Sequence, residues 1–159
     1  MLAVMPGRLV IVCGLPGSGK TTLARQLEAA RPAVRLCPDE WMAVLGIDLF
    51  DSEARARIEQ LQWQLAQRLL VLGTTVVIEW GTWGRDERDT LREGARALGS
   101  AVELHLLDPP LDVLWQRVRE RDMERRLGHR ALTRDELATW SAAFQLPDAG
   151  ELALYDAPI

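Results

Sequence analysis

The chain has 159 residues, 48% of them hydrophobic and 26% charged, with a formal net charge of −4. That is enough for one domain with a full core, and the acidic balance argues against a broad nucleic-acid or anionic-membrane surface while allowing a local basic cleft. No run approaches the ~20 apolar residues of a membrane span, and Cys13 and Cys37 lack metal-ligand or redox spacing, so both read as reduced, buried residues of a cytoplasmic protein.

The first residues are apolar but have no basic region, and Arg8 interrupts them, so they read as a strand rather than a signal peptide. Leu9-Val10-Ile11-Val12-Cys13 is a run of β-formers suited to a strand buried on both faces. Gly14-Leu15-Pro16-Gly17-Ser18-Gly19-Lys20-Thr21, followed by Thr22, fits GxxxxGK[ST], the P-loop that cradles nucleotide phosphates. Glycines let the backbone curl so that its N–H groups line an anion nest, and the helix opening near Gly19 adds its positive end. Lys20 then reaches the β- and γ-phosphates of ATP, and the Thr21 hydroxyl serves Mg²⁺. Lys20 is also the only lysine in a chain that otherwise uses arginine for every cation. A compact, flexible ammonium suits phosphates at that one place.

A second strand over 34–37 is closed by Pro38, and Asp39-Glu40-Trp41 opens a short helix stopped by Gly46. Asp51 or Ser52 caps a long helix to about Leu72, with Ile58, Leu61, Leu65, Leu69 and Leu72 on its apolar stripe. A third strand over 74–79 is apolar until its last residue, Glu79. After the Trp80–Trp83 turn comes a helix over 85–98, buried through Leu91, Ala95 and Leu98. A fourth strand over 102–107 carries His105, read as a satisfied core or edge histidine. Pro109 and Pro110 lead into a helix over 111–126, and a basic stretch containing His129 follows. Thr133 to Glu136 has a capping-box pattern that opens a helix with Leu137, Trp140 and Phe144 inward. The tail offers one short edge strand near 152–155.

Strands alternating with helices imply an α/β fold, a parallel sheet with helices on both faces and the ligand at the strands' carboxyl ends. Three of those ends carry chemistry. Asp39 is placed to act as general base for an acceptor hydroxyl, or else as a helix N-cap, with Glu40 the alternative base. Glu79 reads as a Walker-B acid for Mg²⁺, or as a polar strand terminus. Arg117, Arg121 and Arg125 recur every four residues on one helix face, a lid closing on the triphosphate or a solvated stripe paired with neighbouring acids. Trp41, Trp80 and Trp83 flank the acid-bearing strand ends and could stack on a flat or sugar-like acceptor, though core packing explains each equally well. Arg88 either meets substrate or faces solvent.

The order GLPGSGKTT, PDEW, VVIEWGTWGRDERDTLR and LWQRVRERD resembles the small bacterial P-loop kinases of the AAA-named ATP-binding group, related to polynucleotide 5′-kinase, chloramphenicol phosphotransferase and zeta toxin. The resemblance runs from the first strand to the helix near Phe144. It implies a nucleoside-kinase-like sheet of four or five strands in the order 2-3-1-4-5, Asp39 as the hydroxyl-activating residue, and Arg117 and Arg121 as arginines of a lid over 117–134. Glu79 stands where relatives often have Asp, and Asp122 follows Arg121 where many have Asn. The expected activity is transfer of the γ-phosphoryl of ATP to a hydroxyl of a small-molecule acceptor. Its rivals are a nucleic-acid 5′-hydroxyl kinase and a regulatory ATPase without an acceptor. A guanine-reading NKxD motif is excluded, because the chain contains no asparagine.

Overall fold

The computed structural model describes residues 5–124 and 130–159. Four parallel strands, β1 (Arg8–Gly14), β2 (Ala33–Leu36), β3 (Thr75–Gly81) and β4 (Ala101–Leu107), form one sheet in the order β2-β3-β1-β4. Between and after them run α1 (Lys20–Ala30), α2 (Pro38–Leu45), α3 (Ser52–Val71), α4 (Arg85–Ala97), α5 (Leu111–Glu124), α6 (Arg134–Ala143) and α7 (Ala149–Leu152). Because β3 lies between β2 and β1, the ends of these three strands adjoin, and the loop after β1 sits beside the last residues of β3.

Strand alternation divides the core. Leu9 and Ile11 of β1, with Val76 and Ile78 of β3, pack against Ala66 and Leu70 of α3 and Leu91 and Ala95 of α4. Val10, Val12 and Val77 face the other way and meet Ala24, Leu23 and Leu27 of α1. A third cluster, with Cys13, Leu15, Leu114, Val118, Leu132, Leu137 and Phe144, underlies the loop after β1 and joins it to α5 and α6. Thr133 and Glu136 form the expected capping box at the start of α6.

Three expectations are corrected. The buried row of α3 is Ile58, Gln62, Ala66 and Leu70, whereas Leu61 and Leu72 are exposed. Gln62 belongs inside because its Oε1 accepts the Trp80 Nε1–H at 2.9 Å. Leu98, just beyond α4, is likewise exposed. No fifth strand forms over 152–155. Asp148 caps the Glu151 N–H at 2.7 Å and turns the chain into α7, which leaves only Asp156 to meet the outer edge of β4. Asp156 N–H donates to Val102 O at 2.8 Å, and its carboxylate takes the Val102 N–H at 2.7 Å, so that stretch of edge is covered.

His105 is satisfied, its Nε2 2.9 Å from Glu103 Oε2. Burial alone would raise the Glu103 carboxyl, but the His105 hydrogen bond and pairing with Arg31 and Arg8 hold it below the usual carboxylate range. Both cysteines are buried and free, and burial pushes the Cys37 thiol up to about 12, which keeps it protonated and unreactive. Among the described residues no helix is long and apolar enough to cross a membrane.

Candidate nucleotide and phosphoryl-acceptor site

The loop from Gly14 to Gly19 is a tight structure that only glycine permits at two points. Gly17 has φ +81°, and a Cβ there would stand 2.8 Å from Leu114 O; Gly19, the residue before α1, has φ +97°. Ser18 N–H closes the turn onto Leu15 O at 3.1 Å. The start of α1 has no side-chain cap, unlike that of α6, and no acidic residue in its first turn, unlike those of α4 and α6. Its unpaired N–H groups and positive end therefore remain available to an anion.

Lys20 Nζ donates to Leu15 O at 2.9 Å, folded over the loop that it serves. Burial pushes its ammonium down to about 8; Arg121 adds to that push, while Asp39 and Glu79 oppose it. Both acids and Arg121 are thus within electrostatic reach of the lysine. Arg117 reaches the loop directly, its guanidinium donating to Gly17 O at 3.2 Å. Arg125 and His129, the remaining lid positions of the sequence reading, lie outside the described residues.

Thr21 Oγ1–H donates to Glu79 Oε1 at 2.8 Å, and the Glu79 carboxylate is almost fully buried. A hydroxyl and a carboxylate side by side are the hard oxygen donors that Mg²⁺ accepts, the cation keeping water and phosphate oxygens for its other positions. These residues fit the metal. Sequence reasoning missed Arg35, which donates to Glu79 Oε2 at 3.0 Å and also pairs with Glu40. Burial opposes the Arg35 charge, but Glu40 and Glu79 outweigh it and hold the guanidinium above its usual range. The signal was an arginine inside an otherwise apolar strand. Arg35 and Arg25 in turn hold the Glu40 carboxyl below the usual range.

Asp39 does not cap α2. Cys37 occupies the N-cap, Pro38 begins the helix, and Asp39 is exposed in the first turn, paired with Arg55 of α3. Arg55 carried no sequence signal, because only the fold brings α3 beside α2. Trp41 and Trp80 are partly buried against the main core.

Two expected acceptor contacts are corrected. Trp83 lies behind the phosphate loop, with its Nε1–H donating to Gly14 O at 3.2 Å and its ring 5.5 Å from that of Trp140. Gly81 at φ +99° and Thr82 at φ +50° bend the chain to put it there. Arg88 is fully buried and does not face solvent. Its Nε and one terminal nitrogen grip the two oxygens of Glu151 at 2.6 and 2.9 Å, and it also donates to the carbonyls of Thr82, Trp83 and Gln145. Every N–H of the guanidinium is used in bolting α7 to the turn after β3.

Comparison with known proteins gives the same architecture. The family described as AAA domain matches residues 9–147. The chain is 35% identical over 133 residues to the aliphatic sulfonates import ATP-binding protein SsuB 2 of Pseudomonas syringae pv. syringae (strain B728a), spanning 71% of this chain and 46% of that protein, about half its length. The structure of the Pnkp1/Rnl/Hen1 RNA repair complex superposes with a TM-score of 0.75 at 19% identity, covering 89% of this chain and 45% of that one. A sugar kinase from Janibacter sp. HTCC2649 superposes with a TM-score of 0.58 at 28% identity, covering 92% of this chain and 82% of that one.

Proposed function

From the chain's membership of the AAA domain family, we propose that it is an ATP-dependent kinase that phosphorylates a hydroxyl of a small molecule. One observation carries this reading: the loop lysine, the Thr21–Glu79 pair and the Asp39 carboxylate gather at one edge of the sheet, the last two acids both acting on the lysine's charge. Lys20 and the first turn of α1 hold the β- and γ-phosphates, and Arg117 and Arg121 bring positive charge to the same loop. Mg²⁺, when held by Thr21 and Glu79, supplies charge neutralisation to the phosphate oxygens.

Asp39 accepts the proton of the acceptor hydroxyl. The hydroxyl oxygen forms a bond to the γ-phosphorus, the bond from that phosphorus to the β–γ bridging oxygen breaks, and ADP leaves with the electron pair. Arg55 of α3 pairs with Asp39 and gives the carboxylate a partner from the neighbouring helix. The sugar kinase, similar over 92% of this chain, supports a small acceptor.

The fold is shared with a nucleic-acid repair complex, but Glu59, Asp86 and Glu87 line the slot beside the end of β3 with no lysine or arginine among its walls. Like charges there disfavour that acceptor. The likeness to an import ATP-binding protein favours the alternative of a regulatory ATPase. The test is ADP release from Mg·ATP with and without a panel of hydroxylated small molecules. Stimulation by some member supports the kinase; hydrolysis that no acceptor alters supports the regulatory ATPase.

A further inference from the structure

Between α3 and α4, beside the end of β3, lies a slot of about 340 Å³ whose walls include Glu59, Trp63, Trp80, Asp86, Glu87 and Leu91. That volume suits a small ligand. Its walls are built rather than incidental. The Trp80 N–H is tied to the buried Gln62, which leaves carbon and π-surface to the slot. Trp63 packs closely on α4 because residue 94 is glycine; a Cβ there would stand 2.7 Å from its Cζ2.

The charges in this apolar slot are all of one sign, and no lysine or arginine lines it. No described residue donates a hydrogen bond to Glu59. Burial pushes the Glu59 carboxyl up to about 7, with Glu87 and Asp39 adding to the push and Arg55 opposing it. Burial also raises the Glu87 carboxyl, against the Gly84 N–H and Arg88. Two carboxylates that repel each other across apolar walls are what a ligand cation would relieve. Asp39, in the first turn of α2, is within electrostatic reach of both Glu59 of the slot and Lys20 of the phosphate loop.

We propose that this slot receives the phosphoryl acceptor and that the acceptor is a hydroxylated amine with a flat or apolar face. Its ammonium lies between Glu59 and Glu87, its apolar face rests on Trp63 and Trp80, and its hydroxyl reaches Asp39. The assignment of the slot to the acceptor rests on the kinase reading; the preference for a cation rests on the slot alone. Indole faces favour cations as well as apolar rings, so walls and charges select the same ligand.

The probes are 2-amino-1-phenylethanol and glucosamine, each paired with its N-acetyl derivative. Binding is read from quenching of indole fluorescence, and transfer from ADP release with Mg·ATP. An amine should be preferred over its N-acetyl partner by about tenfold or more, the worth of a charge-assisted contact. Glu59→Gln and Glu87→Gln should each reduce that preference several-fold while Mg·ATP affinity is retained. Equal use of amine and amide, or a preference that survives both substitutions, would overturn the proposal. Amine-selective binding without ADP release from any acceptor would leave the cation site standing and remove the kinase reading. Turnover of neutral acceptors without amine preference would do the reverse.

Discussion

Arg88→Met should unfold the protein much more easily without being a lesion of the chemistry. The guanidinium is 0% exposed and the Glu151 carboxylate 1%, so the substitution leaves a buried charge unpaired and takes the guanidinium donor from the Gln145 carbonyl, while Thr82 O keeps the Cys13 thiol and Trp83 O keeps the Gln145 N–H. Breaking a buried pair from one side costs about 3–5 kcal/mol. For a domain of this size each kcal/mol lowers Tm by roughly 2–4 °C, so the expected fall is about 6–20 °C. Glu151→Leu should cost a similar amount, because it leaves Arg88 buried and charged. The double variant should cost less than the sum, with a coupling of about 1–3 kcal/mol, the Gln145 carbonyl lacking its Arg88 donor in Arg88→Met and in the double variant alike. Urea unfolding of the four proteins measures this cycle. If Arg88→Met unfolds within 1 kcal/mol of the parent, by the scale on which ordinary surface substitutions fall, yet abolishes acceptor turnover, Arg88 belongs to the substrate and the bolt described above is wrong.

Mg·ATP at ~100 Kd should stabilise the protein by about 2.7 kcal/mol, and Lys20→Ala should remove most of that gain in a thermal shift assay; an equal gain would refute the role of Lys20. Gly17→Ala should destabilise by about 1–3 kcal/mol and weaken Mg·ATP binding, since φ +81° is left-handed and the new Cβ meets Leu114 O; unchanged Tm and affinity would contradict the loop geometry. Glu59 binds its proton more tightly in the folded chain, near pH 7 against an ordinary 4.5, so its contribution to stability is full below about pH 4.5 and is lost as pH rises through 7. The Tm of the parent should therefore fall relative to Glu59→Gln across that window and run parallel above it; a constant difference from pH 4 to 8 would exclude the shift.

What the sequence made legible was local. The phosphate loop is a contiguous spacing whose chemistry demands each residue type, and the strand before it has to be buried on both faces. The β2-β3-β1-β4 order follows the parallel topology that the resemblance implied, and it brings Glu79 to Thr21. Partners far apart in the chain left no such trace. Arg88 and Glu151 are separated by 63 positions, and an arginine on an amphipathic helix reads as solvated until its acid is found. The phase of α3 was misread for a related reason: leucines at 61, 65, 69 and 72 look like the apolar row, while the true row holds Gln62, which is acceptable inside only because Trp80 supplies its donor. The tail strand failed because Asp148 caps a helical turn that uses up the residues an edge strand would need. Glu59 and Glu87 carried no signal of their own in the sequence, and only the packing of α3 on α4 brings them to one slot.

The central claim is transfer to a hydroxyl with Asp39 as base, and following the γ-phosphorus by ³¹P NMR tests it most directly. With an accepted hydroxyl compound, the parent should convert the γ-phosphate signal of ATP to a phosphomonoester in step with ADP. Asp39→Asn should slow that conversion by ~10²–10⁴ with Mg·ATP affinity preserved. Inorganic phosphate appearing in place of the phosphomonoester, or an Asp39→Asn rate within a few-fold of the parent, would contradict it.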